Sequence, residues 1–142
     1  MIRLVGTRFG EIEVDESRAV AFPRGLIGFA EARRFALLEP RGRTSVAWLQ
    51  SLDAPELAFP VMDGSSFGQG YPEPTPTQLA HDAGLATTGD VAVLVVVAAR
   101  NRTGLVANLL APLVIDLENR VGAQVVLDYR RYSAAAPVGA PG

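Results

Sequence analysis

The sequence predicts a mostly β, small and compact antiparallel β-barrel-like domain with one or two short accessory helices. Three observations predict it. Short runs of Val, Ile, Leu and Phe recur along the chain, separated by clusters of Gly, Pro and Asp, as strands and their turns require. Near the C-terminal end, Val91–Ala99 is apolar without alternation, so both its faces should be covered, and the apolar run Val106–Ile115 suits a strand buried on both faces or a tightly packed hairpin. Only one stretch, between residues 75 and 84, carries both a helix start and a helix stop. At 142 residues and 49% hydrophobic, the chain reads as one domain over 1–133 with a tail of Ala, Pro and Gly over 134–142 that should be disordered. A chain of this length buries about two-thirds of its unfolded surface without staples.

From the N-terminus, Met1–Thr7 is a mixed run that suits a first strand. Phe9–Asp15 alternates, Ile12 and Val14 on one face and Glu11, Glu13 and Asp15 on the other, which predicts a half-buried strand with an acidic outer side. Arg18–Phe22 reads as a further strand ended by Pro23. In the segment that follows, Gly25 and Gly28 stand where a tight turn wants positive φ. Ala30–Arg34 has room for one helical turn, Phe35–Leu38 for a short strand, and residues 40–43 for an exposed turn. Val46–Leu52 holds the only tryptophan and reads as a core strand, its indole N–H wanting an acceptor. Leu57–Met62 returns as a strand, and Pro60 within it demands an edge or a bulge, because proline donates no ladder hydrogen bond.

Asp63–Pro76 is the longest stretch without periodicity. It carries Phe67 and Tyr71, aromatics that either tuck back onto the barrel or anchor a partner. Thr75, Pro76, Gln78 and Gly84 then supply an N-cap, a first-turn proline, a capping-box glutamine and a terminating glycine for a surface helix. In Val106–Ile115, Pro112 forces a bend, a bulge or an edge position. Asn108 in the same run needs partners, either as a local backbone latch or as a polar anchor in a binding surface. The turn Asp116–Arg120, closed by Gly122, makes a hairpin with the next apolar run. Asp128–Tyr132 alternates charged and aromatic residues as an outgoing edge strand would.

The inventory of reactive groups is short. There is no cysteine, hence no disulfide framework, no thiolate nucleophile and no cysteine metal site. The single histidine, His81, falls on the short helix as a solvated imidazole, and one histidine makes no transition-metal constellation. The carboxylates at 11, 13, 15 and 16 share a strand face instead of converging from separate elements. Glycines 64, 68 and 70 lack the lysine and the strong helix of a phosphate loop, since the chain has no lysine at all. A formal charge of −2 argues against a general nucleic-acid binder. The charged N-terminal stretch lacks the apolar core of a signal peptide, and no apolar run is long enough for a membrane helix, so the cytoplasm is the expected compartment. No enzyme activity and no cofactor is expected.

The succession FGEIEV, FPRGLIGF, FALLE, WLQSLDAPELAF, DVAVLVVV, ANLLAPLVID and GAQVVLDYRRYS, from about Arg8 to Ser133, resembles the flagellar assembly factor FliW family. The block Ala107–Ile115 followed by Gly122–Leu127 is the most specific part. Ile27, Gly64, Val106 and Asp116 depart from the family's pattern, as do the alanines after Ser133. The resemblance implies a non-enzymatic, barrel-like cytoplasmic protein that binds flagellin before export. It also implies binding to the carbon storage regulator CsrA, an allosteric antagonism that couples flagellin synthesis to secretion. The alternative is a flagellin-binding chaperone or scaffold with no translational role. Phe67, Tyr71 and Asn108, with the acidic Glu11, Glu13 and Asp15, are the candidate partner-binding residues.

Overall fold

The structure, a computed structural model, describes residues 1–39, 42, 44–102 and 104–139. Its first two strands, β1 (Ile2–Thr7) and β2 (Gly10–Val14), pair antiparallel as a separate two-stranded sheet. The alternation in β2 decides its face. Ile12 and Val14 turn inward with Ile2 and Leu4 onto Ala36, Leu38 and Leu52, while Glu11 and Glu13 face solvent.

The remaining strands are β3 (Val20–Ala21), β4 (Arg34–Leu38), β5 (Ala47–Ser51), β6 (Ala58–Asp63), β7 (Val91–Arg100), β8 (Gly104–Ala107), β9 (Leu113–Asp116), β10 (Val121–Gln124) and β11 (Ala136–Pro137). They form one sheet in the order β11-β8-β7-β6-β5-β4-β3-β10-β9. A further ladder between β7 and β9, from Val91 opposite Asp116 to Leu94 opposite Leu113, closes strands β7 to β9 into a barrel-like ring of hydrogen bonds. Every junction is antiparallel except β10 with β3, which is parallel and meets only at Val121 and Ala21.

Inside the ring lie Phe22, Phe35, Leu49, Val61 and Leu113, fully buried, with Leu94 and Ile115 beside them. Each such side chain contributes about 1.5–3 kcal/mol of burial. The continuous run in β7 is covered on both faces, as its sequence predicts: Leu94 joins the ring core while Val93, Val95 and Val97 face outer clusters. The helix α1 (Pro76–Asp82) covers part of that outer face. Thr75 caps it by accepting from the Gln78 N–H (3.3 Å), and Gly84 after it has φ +83°. Leu79 and Ala80 are both buried, Leu79 against Val93 and Val114, so the helix covers the sheet and is not the surface accessory its weak apolar pattern predicts.

Pro60 sits where it can do no harm. It pairs with Trp48 in β5, and the β7 ladder joins β6 only from Val61 onward. The β9–β10 hairpin forms as expected, with Arg120 at φ +55° in its turn.

Four expected elements come out differently. The strand expected over Arg18–Phe22 shrinks to Val20–Ala21, because the Asp15 carboxylate accepts from Ser17 N–H (3.0 Å) and fixes a 3-10 turn over Glu16–Arg18. Ala30–Arg34 makes no helical turn, since Asp53 accepts the N–H groups of Arg33 (2.8 Å) and Arg34 (2.9 Å) and holds that backbone extended. The run Val106–Ile115 is two strands, parted where the Asn108 side chain and Pro112 turn the chain. Asp128–Tyr132 is a turn and not an edge strand, as its first carbonyl accepts from both Arg131 and Tyr132 N–H.

Part of the Ala, Pro and Gly tail lies beside β8. Ala136 and Pro137 pair with Ala107 and Val106, Val138 N–H donates to Leu105 C=O (3.0 Å), and the Val138 side chain packs beside Val97. Residues 140–142 of the tail, and 40, 41 and 43 of the expected turn, lie outside the described residues.

Candidate functional site

The six residues singled out from the sequence fall into three places. Phe67 ends a 3-10 turn over Gly64–Phe67, started by Asp63, whose carboxylate accepts from Ser65 N–H (2.8 Å). That turn aims Phe67 back at the sheet, where it joins Tyr71 against Met62, Val95, Val97 and Ala107. The rings of Phe67 and Tyr71 meet edge-on at 6.3 Å, and Tyr71 meets Tyr132 edge-on at 5.3 Å. The Tyr71 hydroxyl donates to Leu109 C=O (2.9 Å), and burial, with Tyr132 beside it, pushes the phenol well above its ordinary pKa. Both rings thus lie half-buried against the sheet.

Asn108 lies on the same side of the molecule. Its side-chain oxygen accepts from Ala111 N–H (3.1 Å), which is the local latch. Its own N–H donates to Val96 C=O, so the residue holds the β8 end against β7.

The acidic trio is divided by its partners. Glu11 pairs with Arg3 across the hairpin. Asp15 is the cap of the 3-10 turn, and the Ser17 hydroxyl and N–H hold its carboxyl below the usual range. Glu13 is exposed and ion-pairs with no described residue. It lines a hollow of about 540 Å³ together with Ile12, Leu37, Val46, Trp48 and a second carboxylate, Glu39. Trp48 belongs to the core strand but turns outward, with Phe9 edge-on at 5.5 Å and the Arg8 guanidinium 3.9 Å above its ring.

A second concavity, larger than that hollow, is built from separate parts of the chain. It is an open groove of about 1170 Å³ between the Pro23–Ala30 turn, the end of α1 and residues 121–128. Gln124 braces it: its side-chain oxygen accepts from Ile27 N–H (2.8 Å) and its side-chain nitrogen donates to Ala111 C=O (3.0 Å). The signal was in the sequence as a lone amide within the run GAQVVL, the counterpart of Asn108. Arg130 and Arg131, a pair in sequence, separate: Arg130 bonds Asp128 (3.0 Å) and Arg131 bonds Glu73 (2.5 Å). Among the described residues no three His, Asp or Glu side chains gather in a way that could hold a metal ion, and His81 is exposed on α1. No helix among them is long and apolar enough to cross a membrane.

These features define the class first: a small, mostly β module, a ring of strands around one apolar core, with an open groove on one side and an acid-rimmed hollow elsewhere. The family model described as "FliW protein" matches residues 3–138. The flagellar assembly factor FliW of Geotalea uraniireducens is 31% identical over 137 residues, covering 96% of this chain and 83% of that protein. That of Geobacter sulfurreducens is 34% identical over 132 residues, covering 92% and 82%. A crystal structure of the flagellar assembly factor FliW superposes with a TM-score of 0.80 at 29% identity, over 95% of each chain. The chain belongs to the FliW family of flagellar assembly factors. The mostly β, barrel-like fold and the family resemblance read from the sequence both hold.

Proposed function

We propose that this protein serves flagellar assembly in the cytoplasm by binding alone: it holds flagellin before export and, when flagellin leaves, binds and allosterically antagonises CsrA. The family match along residues 3–138 is the observation that carries this proposal. Its surface is in keeping with such work, since the groove beside α1 and the hollow beside Glu13 offer two places for two partners. An acidic rim of Glu13 and Glu39 around Trp48 and Leu37 complements a basic RNA-binding protein, steering encounter more than adding affinity. Phe67, Tyr71 and Asn108 then act from beneath, by fixing the sheet that carries the partner surfaces.

Purified protein, monomeric flagellin and CsrA from the same host, with a flagellin leader RNA, test the proposal. The protein should bind flagellin at micromolar concentration and release CsrA from the RNA, and preloading with flagellin should abolish that release. Flagellin binding without any effect on the CsrA–RNA complex would leave the chaperone alternative. Binding to neither would end both.

A further inference from the structure

The groove beside α1 has an edge as well as walls. Past the end of β10 the chain stays extended along the segment before β9: Val125 N–H donates to Pro112 C=O (3.0 Å) and Leu127 N–H to Leu110 C=O (2.7 Å). In an antiparallel ladder, the residues whose N–H and C=O groups bond one neighbouring strand alternate with residues whose groups point away from it. The N–H and C=O of Gln124 and Val126 therefore point away from β9, toward the groove that both residues line.

At its upstream end this edge is occupied, where Ala21 N–H donates to Arg120 C=O (2.9 Å). Beyond that, β3 stops and the chain leaves for the Pro23–Ala30 turn, which reaches the edge only through the Gln124 side chain. The backbone groups of Gln124 and Val126 consequently bond no described residue on that side. Val126 is 65% exposed and Ile27 62%, so apolar surface flanks the open edge. An exposed edge of this kind is a template for another strand.

The charges lining the groove say what kind of strand. Glu73 and Arg131 pair with each other, Asp82 accepts from Gln78, and Asp128 is paired with Arg130. Arg24 is exposed and makes no ion pair with any described residue.

We propose that residues 122–127 accept an extended segment of flagellin, which adds as a strand to the open side of β10 and sets a carboxylate against Arg24. The proposal rests on the flagellin-binding role above and gives that role its contact: backbone pairing for affinity, and the carboxylate and the apolar flank for selection.

Amide hydrogen exchange on the full chain, free and bound to monomeric flagellin, tests it. The amides of Gln124 and Val126 should exchange at least about tenfold more slowly in the complex, while those of Val125 and Leu127, already bonded within the fold, change little. Val126→Pro removes an N–H the fold does not use and should weaken flagellin binding about tenfold or more at a near-normal melting temperature. Arg24→Glu should weaken it by a similar factor, and Arg24→Lys should retain most of the affinity. Flagellin that binds without slowing exchange at 124 and 126 overturns this site and leaves the flagellin-binding role standing, whether or not Val126→Pro folds. Flagellin that does not bind at all overturns both.

Discussion

Tyr71 ties a loop without periodicity to the sheet through a single hydroxyl and one ring face. Its O–H donates to Leu109 C=O, and its ring packs against Met62, Val95 and Val97. Tyr71→Phe keeps the ring and loses the bond, so urea unfolding should show a loss of about 1 kcal/mol. Phe67→Ala should lose about 1–3 kcal/mol, because it opens the cluster beneath the loop. An unchanged unfolding midpoint for both would mean that the loop contributes nothing to the fold. Asp116 makes a different demand on its surroundings. It is 1% exposed, the Asn119 amide donates to it (2.8 Å), and the N–H groups of Asn119 and Glu118 add to that against the opposing effect of burial. The net effect holds its carboxyl below the ordinary value. A group whose pKa is lower folded than unfolded stabilises fully above its unfolded value, about 3.9, and loses that stability as pH falls through the folded value. Asp53, where burial raises the pKa and the Arg33 and Arg34 N–H groups together with the Arg34 guanidinium more than reverse it, acts in the same sense. Melting temperature should therefore be flat near neutrality and fall below about pH 4. Asp116→Asn should melt lower at pH 7 and lose less on acidification; an identical acid slope would show that other carboxylates set it.

The β9–β10 hairpin is built around a residue without a side chain. A Cβ on Gly122 would lie 2.7 Å from two ring atoms of Phe22, which is fully buried, and 3.2 Å from an Ile115 side-chain carbon. Neither can retreat, because Phe22 already meets Phe35 edge-on at 5.6 Å inside the ring. Gly122→Ala should cost about 1–3 kcal/mol in chemical denaturation, where exchange at a strand glycine would ordinarily gain stability. This hairpin also shows what the sequence makes legible. Periodicity and turn residues give β2, β5, β7 and the hairpin itself, since each depends on contacts that repeat along its own run. The capped helix is legible for the same reason, in Thr75, Pro76 and Gly84. What sequence does not reveal are the places where a distant side chain redirects the backbone. Asp53 extends residues 33 and 34 from 20 and 19 positions away, and Gln124 braces Ile27 across 97. The groove belongs to that second kind, as its walls come from three separate parts of the chain.

Ring closure joins β7 to β9, but the β1–β2 hairpin has no backbone ladder to the ring and is a sheet by itself. It docks through Leu4 and Val14 onto Ala36 and Leu52, a much smaller cluster than the one inside the ring. A two-stranded hairpin is marginal by itself in water, so once undocked it should not persist. Trp48 watches this docking directly, because Phe9 from the hairpin's turn lies against it and Arg8 covers its face. The whole chain should therefore lose structure in two stages, the hairpin first and the closed ring second. In a denaturant titration the tryptophan signal should change at a lower midpoint than the far-UV circular dichroism of the strands. Phe9→Ala should separate the two midpoints further, by weakening the docked edge and sparing the ring. Coincident midpoints in both proteins would make hairpin and ring one cooperative unit. The acidic side that carries Glu13 would then be as rigid as the groove beside α1.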